Sequence, residues 1–134
     1  MMPFDWADYL SLAWTLATAP DDASRRSAIS RAYYACYGIA ASYALSRDFP
    51  HSVVTHDRVW SWYRQMDDPI GGDINALGKR IKDRRLAADY RAHNDIIATQ
   101  ARVVCGWADE LVALLRTLPD ASAPRLAADA PSGT

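Results

Sequence analysis

This 134-residue chain has no excess of charge of either sign: 15 Lys and Arg stand against 16 Asp and Glu, a net charge of −1. So close a balance gives the whole molecule no general attraction to nucleic acid or to an anionic surface. Cysteine is scarce. Cys36 and Cys105 each sit in an apolar helical stretch, so there is no disulfide framework and both read as small buried hydrophobes. His51, His56 and His93 are scattered, which leaves no cluster with metal-ligand spacing, and neither metal nor cofactor is expected. No glycine-rich phosphate loop is present, and no Ser or Cys nucleophile stands in a recognisable setting. The opening MMPFDWADYL has no basic segment and carries Asp5 and Asp8, so a signal peptide is not expected and the cytoplasm is the expected location. The longest apolar run, Ala28 to Leu45, holds Arg31, Tyr33, Tyr34, Tyr37 and Tyr43, which argues against a membrane span.

What is present is helix. Half of the residues are hydrophobic, enough for one soluble core at this length. Pro3, Pro20, Pro50, Pro69 and Pro119 fall between periodic segments, and that punctuation predicts five helices. The first runs from about Asp5, a plausible N-cap, to Thr18, with Trp6, Tyr9, Leu10, Ala13 and Trp14 at helical spacing. The second starts at Asp21 or Asp22 and reaches about Ser46; its small residues at 28, 32, 35, 36, 40 and 41 suit a central helix that neighbours approach closely. A short third helix spans about Thr55 to Met66, capped by Thr55 and buried through Val59, Trp60 and Tyr63. Asp67 to Asp73 reads as a loop around Gly71 and Gly72. The fourth helix covers about Ile74 to Asp89. The fifth runs from about Asn94 to Leu118, with Ile96, Ile97, Val103, Val104, Trp107, Leu111, Val112, Leu114 and Leu115 as its buried face. The expectation is an all-α, up-down bundle of about five helices over 1–118. Residues 119–134, small, polar and proline-rich, are expected to be a disordered tail.

Charge is uneven on the local scale. Lys79, Arg80, Lys82, Arg84, Arg85 and Arg91 meet only Asp83 and Asp89 in that stretch, a positive patch suited to phosphate. Arg31 is the one charge between Ser27 and Leu45, the apolar part of the second helix. A buried arginine needs a carboxylate, and the bidentate fork of arginine suits Asp89, so Arg31 and Asp89 are expected to form an interhelical ion pair, with the Tyr90 hydroxyl close by.

Two segments stand out together, RAYYACYGIA (31–40) and RRLAADY (84–90). In order, and separated by a short helix, they resemble the HEPN family of small helical-bundle proteins, over about residues 5–118. The resemblance implies a homodimer acting on RNA in a bacterial defence or toxin–antitoxin setting. In that family, metal-independent ribonucleases place an Arg-x4-6-His motif at the dimer interface. Others are non-catalytic modules that bind RNA or partner a nucleotidyltransferase or an antitoxin. The Arg-x4-6-His motif is missing at all three histidines. Where Arg85 would meet its histidine stands Tyr90, and His93 lies further on. If the helix continued, Arg85, Asp89 and His93 would share one stripe. The candidate catalytic residues are therefore Arg85, Tyr90 and His93, and the candidate RNA-binding residues are Lys79, Arg80, Lys82, Arg84 and Arg91.

Overall fold

A computed structural model of the chain describes residues 4–119, so most of the expected tail lies outside the described residues. Five helices follow in order: α1 (Ala7–Ala17), α2 (Asp22–Leu45), α3 (His56–Arg64), α4 (Ile70–Tyr90) and α5 (Ala98–Arg116). Among the described residues there is no strand, and no helix is long and apolar enough to cross a membrane. The expected helical bundle is the observed one.

Helix α2 touches each of the other four. Its small residues explain why: Ala28, Ala32, Ala35, Cys36 and Ala40 are fully buried, and side chains this short let neighbouring helix backbones approach. The bulk that fills the remaining space comes from Trp60, Tyr33, Tyr63, Ile74, Ile81 and Leu111, also fully buried. Their polar ends are satisfied. The Tyr63 hydroxyl donates to the Ala40 carbonyl at 2.7 Å, and the Trp60 indole donates to the Tyr33 hydroxyl at 3.1 Å, as buried Tyr and Trp require. Cys36 and Cys105 are free and buried. Burial pushes the Cys105 thiol up to about 12, which leaves it without the thiolate that cysteine reactivity needs.

The helix starts follow local chemistry. Asp21 caps α2 by accepting from the Ser24 amide at 2.9 Å, and Thr55 caps α3 by accepting from the Arg58 amide at 3.2 Å. Asp5 accepts from Ala7 just ahead of α1. The start of α4 differs from expectation, because the Gly71-Gly72 stretch is helical from Ile70. Gly71 is needed there for clearance: a Cβ would lie 2.1 Å from the Tyr63 carbonyl. The glycine that reads as a turn is thus a contact point between helices. The fifth helix begins later than expected, at Ala98, so Ile96 and Ile97 precede it. Ile97 and Val103 are exposed, while Val104, Leu111, Val112 and Leu115 are buried. Trp14 is only partly covered, its indole donating to Asp109 at 3.1 Å.

The segment joining α4 to α5 is held by the first turns of α2. Arg26 donates to the carbonyls of Ala88 at 2.8 Å, Arg91 at 3.1 Å and Asn94, and its Nε meets Asp22 at 2.5 Å. Asp22 accepts from the Ile96 amide at 2.6 Å, and Arg25 donates to the Ile96 and Ala19 carbonyls. Charge-assisted bonds of this kind contribute about 1.5–3 kcal/mol each. Together they close the open C-terminal end of α4, whose last carbonyls have no partner within the helix.

Candidate RNA-contacting site

Helix α4 turns Arg85 inward, and the residue is only 8% exposed. Its carbon lies 5.4 Å from the ring centres of both Tyr33 and Tyr34 on α2, and 6.0 Å from that of Tyr90. Cation–π contacts at such desolvated sites stabilise an arginine by about 1–2 kcal/mol. Nη1 of Arg85 meets Asp89 one turn on at 3.4 Å, a long contact, and Asp89 also receives the Ser30 hydroxyl at 3.4 Å. Nε of Arg85 is buried and has no hydrogen-bond partner. A charged donor left this way is costly.

The expected Arg31–Asp89 ion pair does not form. Asp89 belongs to Arg85, and Arg31 lies over the Tyr9 ring, 4.9 Å from its centre, on the α1 side. The reason is helical rotation. Ser30 and Arg26 face the C-terminal end of α4, and one residue beyond Ser30 the helix has turned by about 100°. Arg26 is the arginine that α4 engages.

The basic stretch is likewise divided by rotation. On one side Lys82 pairs with Asp57 of α3 at 2.7 Å, and Lys79 contributes to holding the Asp57 carboxyl below its usual range, after Lys82. On the other side Arg80 lies over Trp107 of α5 at 5.2 Å, and the exposed Arg84 borders the groove between α4 and α5. Arg91 is exposed just past the helix end, where Arg26 holds its carbonyl. These five residues therefore do not share one surface. Tyr90 is 74% exposed. His93 is exposed in the segment after α4, because the helix stops at Tyr90, so it does not continue the stripe of Arg85 and Asp89.

The histidine that the fold brings to Arg85 is His56, the first residue of α3. Its ring stacks on Tyr37 with centres 3.9 Å apart, and lies 5.5 Å from Tyr33 and 6.0 Å from Tyr34. Nδ1 is 2.7 Å from the Tyr33 hydroxyl. Burial holds the imidazole below its ordinary value, and the charges of Arg85 and then Lys82 act the same way, against a smaller opposing effect of Asp57. Arginine and histidine thus rest on the same two tyrosines. No spacing rule along one helix could find this pairing, since the two residues come from different helices; the only signal is that Thr55, a good cap, fixes His56 at a helix start.

Among the described residues no three His, Cys, Asp or Glu side chains gather as a metal would require. A surface depression of about 780 Å3 lies between the start of α1 and the ends of α2 and α5 and shares no lining residue with the Arg85 cluster. It is mainly apolar, lined by Phe4, Trp6, Ile39, Tyr43, Leu115 and Leu118 among others. We place the candidate site at Arg85 because unpartnered charge there is better suited to bind a ligand than an apolar hollow is to perform chemistry. No protein-family model, no curated protein and no solved structure matches this chain.

Proposed function

We propose that this chain is an HEPN-like RNA-acting protein of a bacterial defence or toxin–antitoxin kind, working as a homodimer, and that it meets an RNA phosphate at Arg85. The observation that carries the reading is the buried, unpartnered Nε of Arg85. It lies against Tyr33 and Tyr34, and His56 lies against the same two rings. An arginine whose carboxylate stands as far off as 3.4 Å keeps charge that is suited to a phosphate oxygen. The exposed Tyr90 beside it offers a ring on which a base can stack. The two sequence segments that resemble the family, 31–40 and 84–90, supply Tyr33, Tyr34, Arg85 and Tyr90 to this cluster.

The test is a panel of single-stranded RNAs incubated in EDTA with the wild type and with Arg85→Lys, scored for binding and for cleavage. Binding that the lysine variant loses supports the reading, since lysine keeps the charge and lacks the fork. Cleavage in EDTA adds a metal-independent nuclease activity to it.

One observation favours a second reading. Asp89 already sits beside Arg85 at 3.4 Å, and a carboxylate there competes with phosphate. On this reading the chain is a non-catalytic module, Arg85 is part of the core, and the outer face binds a partner such as a nucleotidyltransferase or an antitoxin. A folded wild type that binds no RNA in the panel favours this alternative.

A further inference from the structure

His56 has a definite protonation pattern, and the pattern limits what it can do. The Trp60 indole nitrogen is only ever a donor, so at 3.1 Å the Tyr33 oxygen is its acceptor. Tyr33 is fully buried. Its own hydroxyl proton therefore needs an acceptor, and Nδ1 of His56 at 2.7 Å is there. With Nδ1 accepting, the neutral ring carries its proton on Nε2. Adding a second proton at Nδ1 would leave the Tyr33 hydroxyl proton with no acceptor in the core.

The surroundings press the same way. Burial, Arg85 and Lys82 from α4 all oppose a positive imidazole, while Asp57 on α3 opposes them only weakly and is tied to Lys82 at 2.7 Å. Tyr33, Tyr34 and Tyr37 of α2 face the ring as neutral aromatics. The start of α3, where His56 sits, is the positive end of that helix. Nε2 lies on the far side of the ring from the Tyr33 hydroxyl. It has no protein partner among the described residues, and His56 is half-buried.

We propose that His56 serves the Arg85 site as a neutral donor, giving the Nε2 hydrogen to a phosphate oxygen of bound RNA, and that it does not take the proton of the RNA 2′-hydroxyl. This rests on the RNA-acting reading above. The His56 Nε2 stands without a protein partner on the pair of tyrosines that also holds the Arg85 guanidinium, and a non-bridging phosphodiester oxygen can accept its hydrogen beside that charge. A proton acceptor would need a free lone pair on Nε2, which the Tyr33 contact removes.

The experiment uses the full chain and a fluorescent oligouridylate near neutral pH. His56→Phe keeps a ring to stack on Tyr37 and has no donor, so binding should weaken about tenfold or more. His56→Gln places an amide donor at similar reach and should recover most of that loss. The nitrogen NMR spectrum of the unmodified protein should show His56 with Nδ1 unprotonated and Nε2 protonated. A proton on Nδ1 overturns the proposal, whatever the variants do. So does His56→Phe binding like the wild type while Arg85→Lys has lost binding. If neither variant changes binding, the RNA reading itself fails at this site. Inorganic phosphate that displaces the RNA at equal phosphate concentration would make the ligand free phosphate, and would also overturn it.

Discussion

The hydroxyl of Tyr33, in the middle of α2, lies 2.7 Å from Nδ1 of His56, at the first turn of α3. Trp60, one turn further along α3, donates to the same hydroxyl at 3.1 Å. One buried oxygen thereby sets the histidine's tautomer and joins two helices. It also belongs to the ring against which Arg85 rests, so packing in the core and chemistry at the site depend on the same side chain.

Stability should fall with pH just below the ordinary histidine value of 6.5, because the folded ring resists its proton. The unfolded chain takes up that proton as pH drops through 6.5 and the folded chain does not, so protons favour unfolding in that window. The carboxylates held low by hydrogen bonds, Asp21, Asp22 and Asp57, have an ordinary value of 3.8 and titrate below it, outside this window. Urea denaturation across the window should show this slope in the wild type and a flatter one in His56→Gln.

Arg26→Ala should destabilise the protein by about 2–4 kcal/mol, through lost charge-assisted bonds to three carbonyls and stranding of Asp22. Arg31→Ala should cost about 0.5–1 kcal/mol, the scale of one partly exposed cation–π contact. Thermal melts of the two variants check the ranking. Amide exchange in 91–97 should rise in Arg26→Ala and stay unchanged in Arg31→Ala.

Gly78→Ala should destabilise by about 1–3 kcal/mol, the usual cost of overpacking a core. A Cβ there would lie 2.5 Å from the Trp60 ring. Trp60 would have to move and would loosen its bond to Tyr33. The drop is read in a denaturation curve, and the disturbance of Tyr33 in the His56 nitrogen shifts.

Native Cys36 and Cys105 should not react with a thiol reagent until the chain unfolds. Both are fully buried, burial raises both thiols, and reaction needs the exposed thiolate. Rapid labelling of either in the native protein would contradict the packing around α2 and α5.

Much of the fold was legible from local chemistry. Prolines between segments marked five helices. Thr55 was a recognisable cap, Asp21 or Asp22 marked the start of α2, and the alanines of α2 announced its central place. Gly71 misled because a glycine required for close approach and one required for a turn look alike in sequence. Arg31 misled for a related reason. Which arginine of α2 faces α4 depends on how the two helices cross, and Arg26 and Arg31 are both plausible until that angle is known. The site was legible in half: Arg85, Tyr33, Tyr34 and Tyr90 lie within the segments that stand out. His56 did not, because its relation to Arg85 is made wholly by the packing of α3 against α2 and α4.

The most direct test of the central claim, that RNA meets the chain at Arg85, is an NMR titration of the labelled wild type with oligouridylate. The Arg85 Nε–H signal, isolated from any hydrogen-bond partner in the free protein, should shift with the first additions. The His56 side-chain signals and the amides near Tyr90 should move in step. Shifts confined to the α4–α5 groove around Arg84 and Trp107, with the Arg85 Nε–H unmoved, would contradict it.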